Sequence, residues 1–108
     1  MLFRSYSITI TFKVAEWVTA STYKIGKSLE DWANAVLASP IPEDFTDAEK
    51  IEYSLLLKNQ VRPYQLRALE THQKNVEIGS KNNINNKWIT LSKSHVSMLS
   101  SLLEIKNN

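Results

Sequence analysis

The sequence contains no cysteine and only two glycines, Gly26 and Gly79. The lack of cysteine excludes disulfides, cysteine-ligated zinc and thiol chemistry within the chain. Two isolated glycines cannot form a glycine-rich loop that cradles a phosphate. The sequence also has no His-Glu-x-x-His motif and no Gly-x-Ser-x-Gly motif, which excludes two common hydrolase signatures. No apolar run approaches the roughly 20 residues that a membrane-spanning helix needs.

The charged residues give little net charge and no basic cluster. Lysine and arginine number 13 and aspartate and glutamate 11, so the formal net charge is +2. The basic residues are spread along the chain and do not form the stripe that binds nucleic acid phosphates. No nucleic acid partner is therefore expected. A small helical nucleic-acid-binding domain is kept as the alternative function, and a phage or mobile-element protein as a third.

The first residues do not resemble the start of a folded domain. Leu2-Phe3-Arg4-Ser5 matches the translation of a common sequencing adapter, and the N-terminus lacks the residue order of a signal peptide. Residues 6–12 alternate polar and apolar side chains, which alone is typical of a strand. Because no second strand candidate can pair with it, we interpret this segment as the stub of an upstream element, such as a helix end. We expect residues 1–12 to be an artefact or such a stub, and residues 13–106 to form the domain.

Apolar residues spaced by three and four predict a first helix from about residue 14 to 38. Its stripe comprises Val14, Trp17, Val18, Ser21, Ile25, Leu29, Trp32, Ala33 and Val36. Gly26 lies on this stripe, where a glycine costs up to about 1 kcal/mol relative to alanine. We therefore expect a second helix to cross closely at Gly26. Pro40 and Pro42 then predict a stiff, extended link.

A second helix is predicted from about residue 46 to 80, starting at a capping box of Thr46 and Glu49. Its stripe comprises Tyr53, Leu57, Val61, Tyr64, Ala68, His72, Val76 and Gly79. Pro63 interrupts this helix, because proline lacks the amide that would bond the carbonyl of Asn59. Since the stripe keeps its phase through Pro63, we predict a kink and not a break.

A third helix is predicted from about residue 86 to 105, with Trp88, Leu91, Ser92, His95, Leu99 and Leu102 on one face. The predicted fold is therefore all-α, with three long helices. The residues predicted to carry its packing are Trp17, Gly26, Trp32, Tyr53, Pro63, Ala68, Trp88 and Leu91.

The titratable residues do not indicate a catalytic or metal site. His72 and His95 lie on the stripes of different helices and could face each other across a metal, but such a site needs three or four ligands. No third ligand is indicated, so we expect a buried, hydrogen-bonded histidine instead. Glu30-Asp31 and Glu43-Asp44 are adjacent pairs that would not face each other on a helix, and we expect them at the surface. We predict no enzyme activity, no cofactor and no metal.

Several segments resemble tetratricopeptide (TPR) repeats. In that repeat, one helix follows Trp-x2-Leu-Gly-x2-Tyr and the next follows Ala-x3-aromatic-x2-Ala. The corresponding segments here are Trp88-x2-Leu91-Ser92-x2-His95, Ala68-x3-His72-x2-Asn75 and Tyr23-x-Ile25-Gly26-x2-Leu29. Two proline-containing segments, residues 37–42 and 60–63, lie between them in the same order. The combination, over residues 12–102, resembles the C-terminal region of bacterial TPR envelope proteins of the gliding-motility type.

The resemblance implies a non-catalytic scaffold built as an antiparallel helical-repeat array, or α-solenoid, in the periplasm or cell envelope. The implied partners are other proteins and upstream repeats of the same chain, with no nucleic acid and no membrane insertion. A repeat at the end of an array lacks a neighbour on one face. We therefore expect exposed apolar side chains at Ile8, Ile10, Phe12 and the start of the first helix.

Overall fold

Three α-helices account for most of the computed structural model, which describes residues 2–104, with side chains from residue 13 onward. They are α1 (Leu2–Leu37), α2 (Asp47–Asn82) and α3 (Lys87–Leu102). No strand occurs among these residues, so the predicted all-α class is confirmed. None of the helices in the described part is both long and apolar enough to span a membrane.

The helices lie side by side and alternate in direction. Thr19 contacts Asn75, and Trp32 packs on Tyr64 with ring centroids 4.3 Å apart, so α1 and α2 are antiparallel. Helix α3 returns along both, since near its start Asn86 bonds Thr19 and Ser92 bonds Asn75, while near its end Leu99 packs with Ala68. Helix α3 has 16 residues and α1 and α2 have 36 each, so parts of both long helices extend past it. The molecule is consequently elongated, with extents of 73 × 28 × 17 Å.

Local capping explains where α2 and α3 begin and where α2 ends. The capping box predicted at Thr46 and Glu49 is present, and the helix then continues through Pro63. It ends at Asn83, whose φ of 54° lies in the left-handed region that asparagine tolerates. The Asn83 amide donates to the carbonyl of Gly79. Asn86 then caps α3 by accepting from the amide of Ile89 at 3.0 Å.

Helix α1 begins earlier than the sequence pattern predicts. Residues 6–12 are helical and continuous with the rest of α1, so the strand that their alternation alone would indicate does not form. The side chains of Ile8, Ile10 and Phe12 lie outside the described residues. At the start of the described part, Val14 and Trp17 are 53% and 71% exposed, as expected for a face without a neighbour.

The α1 face that packs inward is rotated from the predicted stripe and shares only part of it, including Leu29 and Ala33. Gly26, Glu30 and Ala33 are buried, whereas Trp17 and Ile25 of the predicted stripe are exposed. The prediction that Trp17 packs in the core is therefore corrected. The physical reason is that small residues let α1 approach α2 closely, while Glu30 finds hydrogen-bond donors on both other helices.

The remaining predicted packing residues divide into two groups. Ala68 is fully buried, and Tyr53 and Trp88 are half-buried. The prediction is corrected for three exposed residues, Trp32, Pro63 and Leu91. Trp32 is 48% exposed although its ring packs on that of Tyr64 of α2. Pro63 faces solvent, where water can satisfy the carbonyl that its missing amide leaves free.

The interior is small and unusually polar. The apolar cluster comprises Ala68, Leu69, Leu99 and Leu103, with Leu29, Leu66 and Val96 against it. The buried polar side chains are Thr19, Glu30, Gln65, His72, Asn75, Ser92 and Ser100. The largest fully buried side chain among the described residues is that of His72. Because buried polar groups are costly unless they are paired, their partners identify the region that merits functional analysis.

Candidate functional site

A carboxylate and two imidazoles meet in the interior, one from each helix. Glu30 of α1 receives a hydrogen bond from His72 Nε2 of α2 at 2.8 Å and another from His95 Nδ1 of α3 at 2.8 Å. The two imidazole rings are stacked with centroids 4.8 Å apart. His72 is completely buried, and Glu30 is 7% exposed. We refer to these three residues as the Glu–His–His cluster.

Hydroxyl groups hold the outward-facing nitrogen of each imidazole. His72 Nδ1 lies 3.2 Å from the Ser92 hydroxyl, and His95 Nε2 lies 3.3 Å from the Tyr23 hydroxyl. With Glu30 ionised, the inward nitrogen of each ring carries the hydrogen and the outward nitrogen accepts from the hydroxyl. These tautomers follow from the pattern of hydrogen bonds. The network is thus satisfied with two neutral imidazoles and one carboxylate.

A second polar layer continues from the cluster toward the start of α3. Asn75 Nδ2 donates to the Ser92 hydroxyl at 2.8 Å and to the Thr19 carbonyl at 3.0 Å. Asn86 Nδ2 donates to the Thr19 hydroxyl at 3.0 Å while its side-chain oxygen caps α3. The Asn75 side-chain oxygen is buried without a partner among the described residues. These bonds fix the register of α3 against both other helices.

The packing of α1 on α2 positions His72. Gly26 lies one turn before Glu30, so both face α2. A Cβ placed on Gly26 would lie 2.5 Å from His72 Nε2. Glycine is therefore the residue that leaves room for the imidazole next to Glu30. The close helix crossing predicted at Gly26 is found, and the side chain that crosses it is a histidine.

The electrostatics of the cluster favour an ionised Glu30. Burial by itself raises the pKa of this carboxyl, because it disfavours the charged form. The hydrogen bonds from His72 and His95 outweigh burial and hold the pKa of Glu30 below its ordinary value of 4.5. The interior therefore contains a formal negative charge that the two imidazoles stabilise.

The cluster borders a cleft between the helices. This cleft has a volume of about 450 Å³. Its lining comprises Glu30, Asn34, Gln65, Met98, Leu99, Ser101 and Leu102. Glu30 is thus the member of the cluster that small solutes can reach from this side.

Two sequence-based expectations about these residues need correction. Glu30 was expected at the surface with Asp31, but only Asp31 is exposed, where it pairs with Lys27 at 2.6 Å. Glu30 also supplies the third potential ligand that the sequence did not indicate beside His72 and His95. The expected buried, hydrogen-bonded histidine is found at His72.

A second functional candidate is the outer face of α1. Four apolar side chains of the predicted stripe are exposed on this face, and we call them the α1 stripe: Val14, Trp17, Ile25 and Trp32, exposed by 53%, 71%, 58% and 48%. Their spacing of three, eight and seven keeps them on one side of the helix. An apolar face of this length on one helix is typical of a surface that another protein element covers.

Searches against protein-family models, curated proteins and solved structures return no match for this chain.

Proposed function

We propose that this chain is a non-catalytic helical interaction module whose α1 stripe docks an apolar helix of a partner protein. The observation that carries the proposal is the exposure of Trp17 and Ile25. Full burial of such a side chain is favourable by about 1.5–3 kcal/mol, so covering these side chains with a partner helix would favour binding. The occupant we favour is a helix because the stripe is straight and narrow, with helical spacing.

The family resemblance offers a competing occupant. In a TPR-like array stacked repeats cover one another, so an upstream helix of the same chain found on the α1 stripe would contradict docking of a partner protein there. Small buried residues at the helix contacts, Gly26, Ala68 and Ser92, support close stacking of that kind. Since α1 and α2 have 36 residues each, such an array would use longer helices than a repeat of about 34 residues per helix pair.

Two finer features belong to the same proposal. We propose that Pro63 bends α2, so that the helix follows the curvature of an α-solenoid. We also propose a scaffold role in the periplasm or cell envelope, as the resemblance implies. Determining the axis angle on either side of Pro63 by crystallography would test the bend, and fractionation of the native cells would test the location.

Site-specific cross-linking tests the docking proposal. A photoreactive residue replaces Ile25 in cells that naturally express the chain, and a control carries it at the exposed Lys74 of α2. We expect a protein adduct from position 25 that is absent from position 74. The captured protein is then purified, and its affinity is measured with the unmodified chain and with the Ile25→Glu variant. We expect Ile25→Glu to weaken binding at least about tenfold, or 1.4 kcal/mol, and Lys74→Glu to leave it unchanged.

Three results would contradict the proposal. Binding that Ile25→Glu leaves intact would show that the α1 stripe is not the docking surface. Robust binding to DNA or RNA that falls steeply with salt would favour the nucleic-acid-binding alternative. Self-association in sedimentation equilibrium that disappears in Ile25→Glu would show that a second copy covers the stripe, not a partner protein.

A further inference from the structure

We propose that Glu30, His72 and His95 form a binding site for a divalent transition metal such as zinc. One ligand atom from each residue lies within 4.8 Å of the others. A tetrahedral zinc ion with bonds of 2.0–2.2 Å needs ligand atoms about 3.3 Å apart. To surround an ion, the side chains therefore need to separate by about 0.5 Å from their 2.8 Å hydrogen bonds, or to close by at most about 1.5 Å.

The directions of the imidazoles fit this role. His72 Nε2 and His95 Nδ1 both point to the Glu30 carboxylate, so the nitrogens that would bind the ion already converge. Histidine ligands in metal sites hold their other nitrogen in a hydrogen bond, which fixes the tautomer and the ring orientation. Ser92 and Tyr23 supply those outer bonds here.

The outer partners can serve the site with and without an ion. Metal binding requires the proton of each imidazole to lie on the outward nitrogen, which then donates to the hydroxyl oxygen. A hydroxyl both donates and accepts, so Ser92 and Tyr23 satisfy either tautomer. With neutral imidazoles, Glu30 can stay ionised in both states. Each proton moves between the nitrogens of one ring, and no net proton is released.

The ligand set indicates the class of metal. Two imidazole nitrogens and one carboxylate oxygen suit zinc, cobalt, nickel or ferrous iron better than magnesium or calcium, which prefer oxygen. The cleft beside Glu30 gives an ion a path into the interior. It also leaves space for water in a fourth position, as in zinc sites with three protein ligands.

The proposal is independent of docking at the α1 stripe, because Glu30 and Ile25 lie on different faces of α1. Binding through the stripe would persist if the metal site were absent, and the reverse also holds. Failure of one proposal therefore leaves the other standing.

Titration of the metal-free full chain with Zn²⁺ and Co²⁺ tests the site. We expect one equivalent of Zn²⁺ to bind in isothermal titration calorimetry and to raise the melting temperature. Co²⁺ should give the visible absorption bands of a tetrahedral or five-coordinate complex. Nitrogen chemical shifts of the unmodified protein provide a test that needs no substitution. On adding Zn²⁺, His72 Nε2 and His95 Nδ1 should change from protonated to metal-bound, while the outward nitrogens become protonated.

Variants then identify the ligands. Glu30→Gln and His95→Gln keep side chains of similar size, and both should abolish zinc binding while circular dichroism remains helical. The control is Asp31→Asn, next to Glu30 but exposed, which should bind zinc as the unmodified chain does. Tyr23→Phe removes only the outer hydroxyl and should weaken binding about 10–100-fold. Absence of Zn²⁺ binding to the folded chain would overturn the proposal, as would Zn²⁺ binding that leaves the imidazole nitrogen shifts of His72 and His95 unchanged.

Discussion

The imidazole of His72 occupies the space that a side chain at Gly26 would fill. A Cβ on Gly26 would lie 2.5 Å from Nε2 and 2.7 Å from Cε1 of that ring. The ring cannot move aside without cost, because it is fully buried and bonded to both Glu30 and Ser92. This contact links the close approach of α1 and α2 to the geometry of the Glu–His–His cluster.

Gly26→Ala should therefore destabilise the protein although alanine is the better helix former. Overpacking a tight contact costs about 1–3 kcal/mol, which exceeds the gain of up to about 1 kcal/mol in helix propensity. Chemical denaturation measures the difference. Ser28→Ala, at an exposed position of the same helix, should be neutral or slightly stabilising. A Gly26→Ala variant as stable as the unmodified chain would show that the helices do not cross closely there.

Removal of the Glu30 charge should change how stability depends on pH. Because the pKa of Glu30 is held below 4.5 in the folded protein, the ionised carboxyl stabilises the fold above its ordinary pKa. That stabilisation is lost as the pH falls from about 4.5 through the folded-state pKa, with a slope of at most about 1.4 kcal/mol per pH unit.

The comparison is between metal-free unmodified chain and Glu30→Gln, unfolded with urea at a series of pH values. We expect the two to differ most at neutral pH and to converge in acid, because only the unmodified chain loses the carboxylate. A difference that stays constant down to strongly acidic pH would mean that Glu30 does not carry the charge in the interior.

The capping box of α2 should contribute measurably to stability. The Thr46 hydroxyl accepts from the Glu49 amide at 3.2 Å, and the Glu49 carboxylate accepts from the Thr46 amide at 3.1 Å. Thr46→Ala should cost about 0.5–2 kcal/mol in urea denaturation. The matched control is Thr90→Ala, whose exposed hydroxyl bonds only its own helix. Equal effects of the two substitutions would argue against the cap.

Apolar truncations should distinguish the inner and outer faces of the bundle. Leu69 is 3% exposed in the apolar cluster, so Leu69→Ala should cost about 2–5 kcal/mol. Ile25 is 58% exposed, so Ile25→Ala should change the free energy of unfolding by less than about 0.5 kcal/mol. A large loss of unfolding free energy from Ile25→Ala in the isolated chain would show that the α1 stripe is buried inside the fold.

The three helices of this protein could be predicted from its sequence, but the face of α1 that packs inward could not. The α2 stripe through Val61, Ala68 and His72 is buried as predicted, since apolar residues and the small residues at the crossing share one face. In α1 several large apolar residues, such as Trp17 and Ile25, lie on the outer face, whereas Leu29 packs against the core. The inner face combines Ala33 of the predicted stripe with Gly26 and Glu30, and hydrophobic periodicity does not detect a glycine and a glutamate.

The sequence indicated the two histidines of the Glu–His–His cluster but not its carboxylate. Both histidines lie on helical stripes, so their approach could be considered. Glu30 joins them from positions 42 and 65 residues away. Its role depends on which side of α1 packs inward, and that is decided by the tertiary contacts of Gly26. Neither composition nor spacing distinguishes the buried carboxylate of Glu30 from that of the exposed Asp31 beside it.

The protonation of the two histidines in the metal-free protein tests the central claim most directly, namely that Glu30 joins His72 and His95 in the interior. Long-range proton–nitrogen correlation spectra at neutral pH distinguish the nitrogens of each ring. The structure predicts that His72 carries its proton on Nε2 and His95 on Nδ1, and that Glu30→Gln changes both signals. The cluster would be contradicted if the rings exchange between tautomers as free histidine does. It would also be contradicted if Glu30→Gln leaves the nitrogen signals of both rings unchanged.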